Sequence, residues 1–338
     1  MTERVLVTGA TGFIGTHLVQ ALVKTGVEVI CLVRSTSNTS RLEILGVSFI
    51  EGDITRKESL VEAVSPVDTV FHLAGSTAAI KAETLFWVNE GGTRNLAEAC
   101  AQSGKQKRLV VVSSSAAVGP SSPGRAMTEE DPPKPVSHYG RSKLAGEQAA
   151  RYWAGRLPIT IVRPAIVFGE YDRDVFRMFE MVAHGWHIVP GLKKRYYSLI
   201  HATDLAKALI LAARKGEVLP AQIVDSTSPG QGIYFIADAW SPSYAELGPL
   251  MAEALGRKVR ILPVPGLVAW GVAFINEITA RLRSQPSILN LDKAKEGLAG
   301  SWVYSPKKAE EQLGFAPDAT VFDRIYQTGK WYQEQGWL

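Results

Sequence analysis

Tyr139-Gly140-Arg141-Ser142-Lys143 sets a phenol and an ammonium four residues apart. On a helix that spacing brings both side chains to one face. A free phenol titrates at about 10, and a neighbouring ammonium favours the phenolate. A three-unit drop corresponds to about 4 kcal/mol of differential stabilisation. A phenol tuned in this way exchanges a proton near neutral pH. An oxygen to receive that proton needs a group to hold it, and Val110-Val-Val-Ser113-Ser114-Ser115 ends an apolar run in three hydroxyls. Ser115 is the favoured active hydroxyl, with Ser114 as the alternative.

A second constellation lies at the start of the chain, in Gly9-Ala-Thr11-Gly12-Phe13-Ile14-Gly15. It follows the apolar run Val5-Leu6-Val7 and opens a helix-period segment. Glycines at this spacing allow a tight turn, close approach of a pyrophosphate and close helix–strand packing. The helix N-terminus then offers free N–H groups and a positive dipole to phosphates. The partner reaction of the phenol is therefore hydride transfer with a nicotinamide dinucleotide.

Which dinucleotide is indicated nineteen residues past Gly15. Arg34 stands there, without an adjacent Asp or Glu. An acidic residue at this point suits the ribose 2′-OH of NAD, whereas an arginine suits a 2′-phosphate. NADP is expected in preference to NAD. Gly52-Asp53-Ile54 and Leu73-Ala74-Gly75 follow two further apolar runs. Asp53 is placed to accept from an adenine amino group, and the small residues let the dinucleotide cross the sheet edge.

The elements that must position these groups alternate along the first half. Strands are expected at 5–7, 29–33, 47–50, 69–73, 109–112 and 159–162. Helices are expected through Ile14, Leu18, Ala21 and Leu22, and near 57–64, 84–102 and 139–155. Continuous apolar strands between helices imply an α/β fold, a Rossmann-type doubly wound parallel sheet covered on both faces. After Pro164 the pattern changes to a smaller, mainly helical C-terminal substrate lobe. Helices are expected at 172–185, 204–215, 267–282, 306–313 and 321–335, with a strand at 233–237. Ser243 and Glu246 read as a capping box, and Pro263 with Pro265 as the brackets of a turn. The dinucleotide domain is placed at residues 1–170, with 196–215 packing on it, and the substrate lobe mainly at 171–338.

The chain has 338 residues, 46% apolar and 21% charged, with a formal charge of +4. That composition is globular, and the charge is too mild to imply nucleic acid. Cys31 and Cys100 lie in apolar segments and form no disulfide or metal spacing. The N-terminus enters a strand without a signal-like apolar region, and the longest apolar run, 267–275, is too short to span a bilayer. A cytoplasmic protein without a transmembrane segment is expected.

The chain resembles an extended short-chain dehydrogenase/reductase of the NAD-dependent epimerase/dehydratase family. The resemblance rests on the glycine motif with Thr8, on Gly52-Asp53, His72-Leu-Ala74-Gly75, Asn89, and Gly92-Thr-Arg-Asn95-Leu. It continues through Ser113-Ser-Ser115, Tyr139 to Lys143, and Arg163-Pro164-Ala-Ile-Val167-Phe-Gly169. It implies a Ser115–Tyr139–Lys143 triad in which Lys143 also binds the nicotinamide ribose. It further implies cofactor contacts from Ser113 and from the segment Pro164 to Val167, with Asn89 supporting that side. A homodimer through two packed helices is a further expectation.

Within that family, Arg34 and Ser301-Trp-Val-Tyr304 with Leu313-Gly-Phe315 resemble the dihydroflavonol reductase-like and 3β-hydroxysteroid dehydrogenase-like branch. Val118-Gly119 lacks the usual intervening tyrosine, and His201-Ala-Thr-Asp204 stands where sugar enzymes often carry paired aspartates. The leading expectation is an NADP-dependent reductase or dehydrogenase acting on a small carbonyl or secondary alcohol. The alternative is a nucleotide-sugar 4-epimerase with tightly held NAD, for which Lys193, Lys194 and Arg195 offer a diphosphate contact. Ala116 and Ala117 offer no acid for a dehydratase, and the Tyr–Lys pair argues against a non-catalytic sensor. The 267–282 helix is apolar nearly all round. It reads either as a core or dimer helix, or as a lid over a lipophilic substrate or a membrane-surface patch.

Overall fold

The computed structural model describes residues 2–105, 107–222, 228–282 and 291–338. Its strands are β1 (Arg4–Thr8), β2 (Glu28–Val33), β3 (Ser48–Glu51), β4 (Thr69–His72), β5 (Arg108–Val112) and β6 (Ile159–Pro164). There follow β7 (Ile166–Phe168), β8 (Trp186–Pro190), β9 (Leu199–His201), β10 (Ile233–Ile236) and β11 (Arg260–Val264). The helices of the first half are α1 (Phe13–Lys24), α2 (Ser40–Glu43), α3 (Val61–Val64), α4 (Ala82–Phe86), α5 (Gly92–Gln102) and α6 (His138–Arg151). Those of the second half are α7 (Phe176–Ala183), α8 (Ala202–Lys215), α9 (Tyr244–Ala254), α10 (Gly266–Leu282), α11 (Leu291–Ala299) and α12 (Val321–Glu334).

Seven strands form one parallel sheet in the order β10-β6-β5-β4-β1-β2-β3. The β4, β5 and β6 strands are almost wholly buried, as their unbroken apolar runs require. From β1 the chain order runs one way through β2 and β3, and the other way through β4, β5 and β6. The carboxyl ends of β1 and β4 therefore flank the crevice where ligands of such sheets lie. Leu18 and Leu22 of α1 and Leu205 and Leu209 of α8 cover one face. Leu60, Val64, Leu96 and Cys100 cover the other. A fully buried leucine of this kind is worth about 1.5–3 kcal/mol. The outermost strand, β10, follows residue 170, so the sheet draws on both halves of the chain.

The single helix expected at 84–102 is interrupted. Between α4 and α5, residues Trp87–Gly91 form a wider π turn, a local irregularity often found at functional sites. Nor do Pro263 and Pro265 bracket a turn. Pro263 lies inside β11, which among the described residues pairs with β8 alone, and proline is tolerated in such an edge strand. Pro265 directly precedes α10. The capping box of Ser243 and Glu246 starts α9 as expected. Phe179, Met251, Leu255, Ile325 and Tyr332 form a separate core beyond the sheet. The α10 helix is no core helix: from 266 to 279, the part whose burial is described, only Ala273 is buried.

Candidate active site

The glycine turn is sterically closed to side chains. Gly9 has a φ of +71°, and a Cβ there would lie 2.6 Å from the Ala74 nitrogen. A Cβ on Gly15 would lie 2.1 Å from the Gly9 carbonyl oxygen. The turn is thereby pressed between β1 and the loop after β4. Gly12 caps α1 without any side-chain hydrogen bond, so the first amides of α1 keep their capacity for an anion. Thr11, Phe13 and Ile14 are half-buried around this turn. The cradle fits a dinucleotide pyrophosphate by its shape and its donors.

A buried relay fixes the neighbouring β4 end. The Ala74 N–H donates to the Thr8 hydroxyl at 3.2 Å, and Thr8 Oγ1 meets His72 Nδ1 at 2.8 Å. His72 Nε2 meets Thr93 Oγ1 at 3.0 Å, and the Thr93 hydroxyl donates to the Asn89 carbonyl at 2.6 Å. The donors run consistently in one direction if His72 carries its proton on Nε2. Burial pushes the His72 imidazole down to about 3, which keeps it neutral. Asn89 sits in the π turn and is buried. Its side chain accepts from the Ser76 N–H at 2.8 Å and donates to the Ser76 carbonyl and the Ser142 hydroxyl, at 2.9 and 2.8 Å. Asn89 thus clamps the loop that carries Leu73, Ala74 and Gly75 to α6.

At the other side of the crevice Arg34 is exposed just beyond β2. Asp53 follows β3. Burial works against its charge, but the Thr55 N–H and hydroxyl, with the charges of Arg34 and Arg56, hold its carboxyl below the ordinary range. Arg34 and Asp53 are therefore electrostatic neighbours. Ile54 is buried, and its carbonyl accepts from the Asn95 side chain at 2.9 Å.

Ser137 caps α6 by accepting from the Gly140 N–H at 2.9 Å, and the helix then presents Tyr139 and Lys143. The Lys143 ammonium donates to the Val112 carbonyl at 2.8 Å, at the end of β5. Burial pushes it down to about 8, against the pull of Glu147. A Cβ on Gly75 would lie 3.8 Å from Lys143 Nζ, so the lysine faces the dinucleotide crevice. Burial raises the Tyr139 phenol, while the charge of Lys293 and the nearby Ser114 hydroxyl pull it back. The Ser114 hydroxyl accepts from the Ala116 N–H at 3.1 Å. Ser115 is buried, and its carbonyl accepts from the Tyr304 hydroxyl at 3.3 Å. Ser113 turns the other way and donates to Glu147 at 2.5 Å, where Glu147 also holds Arg163 in a buried, two-pronged ion pair. Pro164 ends β6, and Val167 lies in β7, paired with Ile200 of β9.

The α11 helix was not foreseen in the site. Asp292 accepts from the backbone N–H groups of His138 and Tyr139, at 2.9 and 3.0 Å. Glu296 accepts from Ser137 at 2.6 Å and from Lys293 at 2.9 Å. Lys293 lies 5.3 Å from the centroid of the Tyr139 ring. The sequence around Asp292 carries no motif that announces this contact. Arg195 and Lys194 are engaged within the second half, with the Pro190 carbonyl at 2.7 Å and with Glu246 at 3.5 Å.

The cradle, the clamped β4 loop and the Tyr–Lys face can be set beside known proteins. A family model for the NAD dependent epimerase/dehydratase family matches residues 5–224. The chain belongs to that family. It is 30% identical to the ceramide reductase of Caulobacter vibrioides, across 99% of this chain and 96% of that one. It is 29% identical to a 3 beta-hydroxysteroid dehydrogenase/Delta 5-->4-isomerase of Mycobacterium tuberculosis, across 97% and 90%. Among solved structures, the Thermus thermophilus UDP-glucose 4-epimerase in complex with NAD is 27% identical. It superposes with a TM-score of 0.74, covering 98% of this chain and 99% of that one. The family is one of nicotinamide-dependent enzymes with a Rossmann fold, which the parallel sheet here matches.

Proposed function

We propose that the protein is an NADP-preferring reductase or dehydrogenase that interconverts a lipophilic ketone and its secondary alcohol. The observation that carries this reading is Lys143, one helical turn from Tyr139 on α6, held on the Val112 carbonyl at the end of β5 and facing Gly75 beside the glycine cradle. When bound, a nicotinamide dinucleotide supplies or accepts the hydride. Tyr139 Oη gives a proton to the carbonyl oxygen, or takes one from the alcohol. Its burial-raised phenol is held in the protonated form that donates to a carbonyl. Ser115, or Ser114 beside it, orients that oxygen. Lys143, anchored on Val112, offers its remaining N–H groups to the nicotinamide ribose.

Gly9, Gly12 and the α1 amides would hold the pyrophosphate. Asp53 and Ile54 would flank the adenine, and Leu73 to Gly75, Pro164 and Val167 would line the path to the nicotinamide. The exposed position of Arg34 supports the preference for a 2′-phosphate. The ceramide and steroid named for two relatives support a lipophilic substrate. The buried free thiols of Cys31 and Cys100 support a reducing, cytoplasmic setting. A homodimer belongs to the same reading through the family resemblance. The second reading, a nucleotide-sugar 4-epimerase, is favoured by the likeness to the Thermus enzyme.

One experiment separates the two. The purified protein is denatured, released nucleotide is quantified, and the stripped protein is titrated with NADPH and NADH before assay with long-chain and steroidal ketones. The reductase reading expects little retained nucleotide, tighter NADPH and ketone turnover. Turnover should fall by about a thousandfold in Tyr139→Phe with coenzyme affinity kept. Stoichiometric retained NAD overturns it in favour of the epimerase.

A further inference from the structure

We infer that α10 and the β8–β11 ribbon form a face that seats the protein on an anionic lipid surface, so that its substrate enters from the bilayer. The lipid-borne substrate rests on the reductase reading above, but the docking does not. Leu267, Val268, Val272, Phe274, Ile275 and Ile278 of α10 are each 44–85% exposed. At about 100° per residue they span about 160° of the helix circumference. From 266 to 279 that arc holds only Gly271 and Thr279 besides, and no charge.

The face continues into the ribbon. The register pairs Arg260 with Trp186 and Leu262 with Ile188, and all four are exposed. His187 between them is buried, against the position of Gly248. Paired residues share a face and their neighbours take the other, so Trp186, Ile188 and Leu262 point outward together. The Gly191 N–H donates to the Val264 carbonyl at 2.7 Å, which sets the loop bearing exposed Leu192 against the residue that precedes Pro265 and α10. Exposed apolar side chains on two elements joined in this way mark a contact site.

Its charge selects the partner. Segments 186–195 and 256–276 contain Lys193, Lys194, Arg195, Arg257, Lys258 and Arg260, and no carboxylate. Arg257, Lys258 and Arg260 stand at one end of the ribbon, and Lys193 and Lys194 at the other. All are exposed, and of these cations Glu246 pairs with Lys194. A twofold pairing of this face with itself would bring the cations of two copies together. An anionic bilayer neutralises them while taking up the apolar arc, and Trp186 suits the interface between the two. The face also reaches the chemistry. Leu298 of α11 packs on the start of α10, and α11 holds the N-terminus of α6 and sets Lys293 over Tyr139.

The test is co-sedimentation of the full chain with vesicles of phosphatidylcholine alone, and with vesicles equimolar in phosphatidylglycerol. The wild type should pellet with the anionic vesicles and be released by salt. The exposed-site variant Leu267→Ser/Phe274→Ser/Ile275→Ser should bind about tenfold more weakly, with an unchanged far-ultraviolet spectrum and unchanged turnover of a short, water-soluble ketone. Lys193→Glu/Lys194→Glu should weaken anionic binding alone. Wild-type protein that stays in solution with both vesicles overturns the inference. So does a triple variant that binds equally well, or one that turns a dimer into a monomer without changing vesicle binding, which would assign the face to a second copy. Vesicle binding by a protein that reduces no ketone keeps the docking and removes the reductase reading.

Discussion

The cradle between β1, β4 and α6 spends its polar groups inward, whereas the α10–α11 pair turns apolar groups outward and reaches the site through one end of α11. In the cradle, Thr8, His72, Thr93, Asn89 and Ser142 satisfy one another within the buried interior. On α10, six large apolar side chains stand exposed. The polar groups of the cradle find their partners within it, whereas the apolar groups of α10 face outward. One side of the crevice is thus held by internal bonding, and the other leans on an element with little internal packing.

The sharpest way to break the comparison is at Glu147. Glu147→Gln removes the carboxylate that holds both Arg163 and Ser113. Leaving a buried guanidinium uncompensated should cost about 3–5 kcal/mol, read as a lower midpoint in urea unfolding. A loss below about 1 kcal/mol would mean that the cradle is not held by its buried polar groups.

A middle-sized effect concerns acid. The His72 imidazole is depressed to about 3 in the fold and titrates at about 6.5 when unfolded. As pH falls from 6.5 toward 3 the unfolded chain takes up a proton that the folded one refuses, so the contribution of His72 to stability is lost across that window. The stability difference between wild type and His72→Asn should therefore shrink by about 1–3 kcal/mol on acidification from pH 7 to pH 4. A difference that stays constant would show that His72 is protonated in the fold.

The smallest effect belongs to the other region. Asp292→Ala removes the cap on the His138 and Tyr139 amides and should cost about 0.5–2 kcal/mol, as helix caps do. Its larger sign should be kinetic, a reduced kcat with coenzyme affinity unchanged, because Lys293 over Tyr139 sits on the next residue. An unchanged kcat would separate α11 from the chemistry.

The legible part of the molecule was the part built from local rules. The glycine turn, the parallel strands, the Tyr139–Lys143 face and the capping box at Ser243 each follow from spacing within one element. Asn89 was visible by resemblance, but its clamp on Ser76 needs a π turn that no periodicity announces. Ser115 was favoured over Ser114 from the sequence, but the brace on the Ser115 carbonyl comes from Tyr304, far along the chain. Pro263 read as a turn because the sequence does not reveal that β11 has a single neighbour among the described residues. Asp292, Lys293 and Glu296 lie some 150 residues from Tyr139, and a contact at that range leaves no trace in local pattern. The apolar face of α10 was legible as composition, but its outward orientation was not.

Tyr304 has a consequence for the order in which the molecule is made. Its hydroxyl donates to the Gly119 carbonyl at 2.7 Å across 185 residues, and the flanking segment bridges to Ser121 and Met127. Contacts of such sequence separation close late, because the loop entropy must first be overcome. During synthesis the glycine turn and β5 emerge well before residue 304, and the loop after β5 has its brace only when that later segment arrives. The nascent protein thus shapes its glycine turn early and locks the loop beside α6 late, so the two sides of the crevice have different histories.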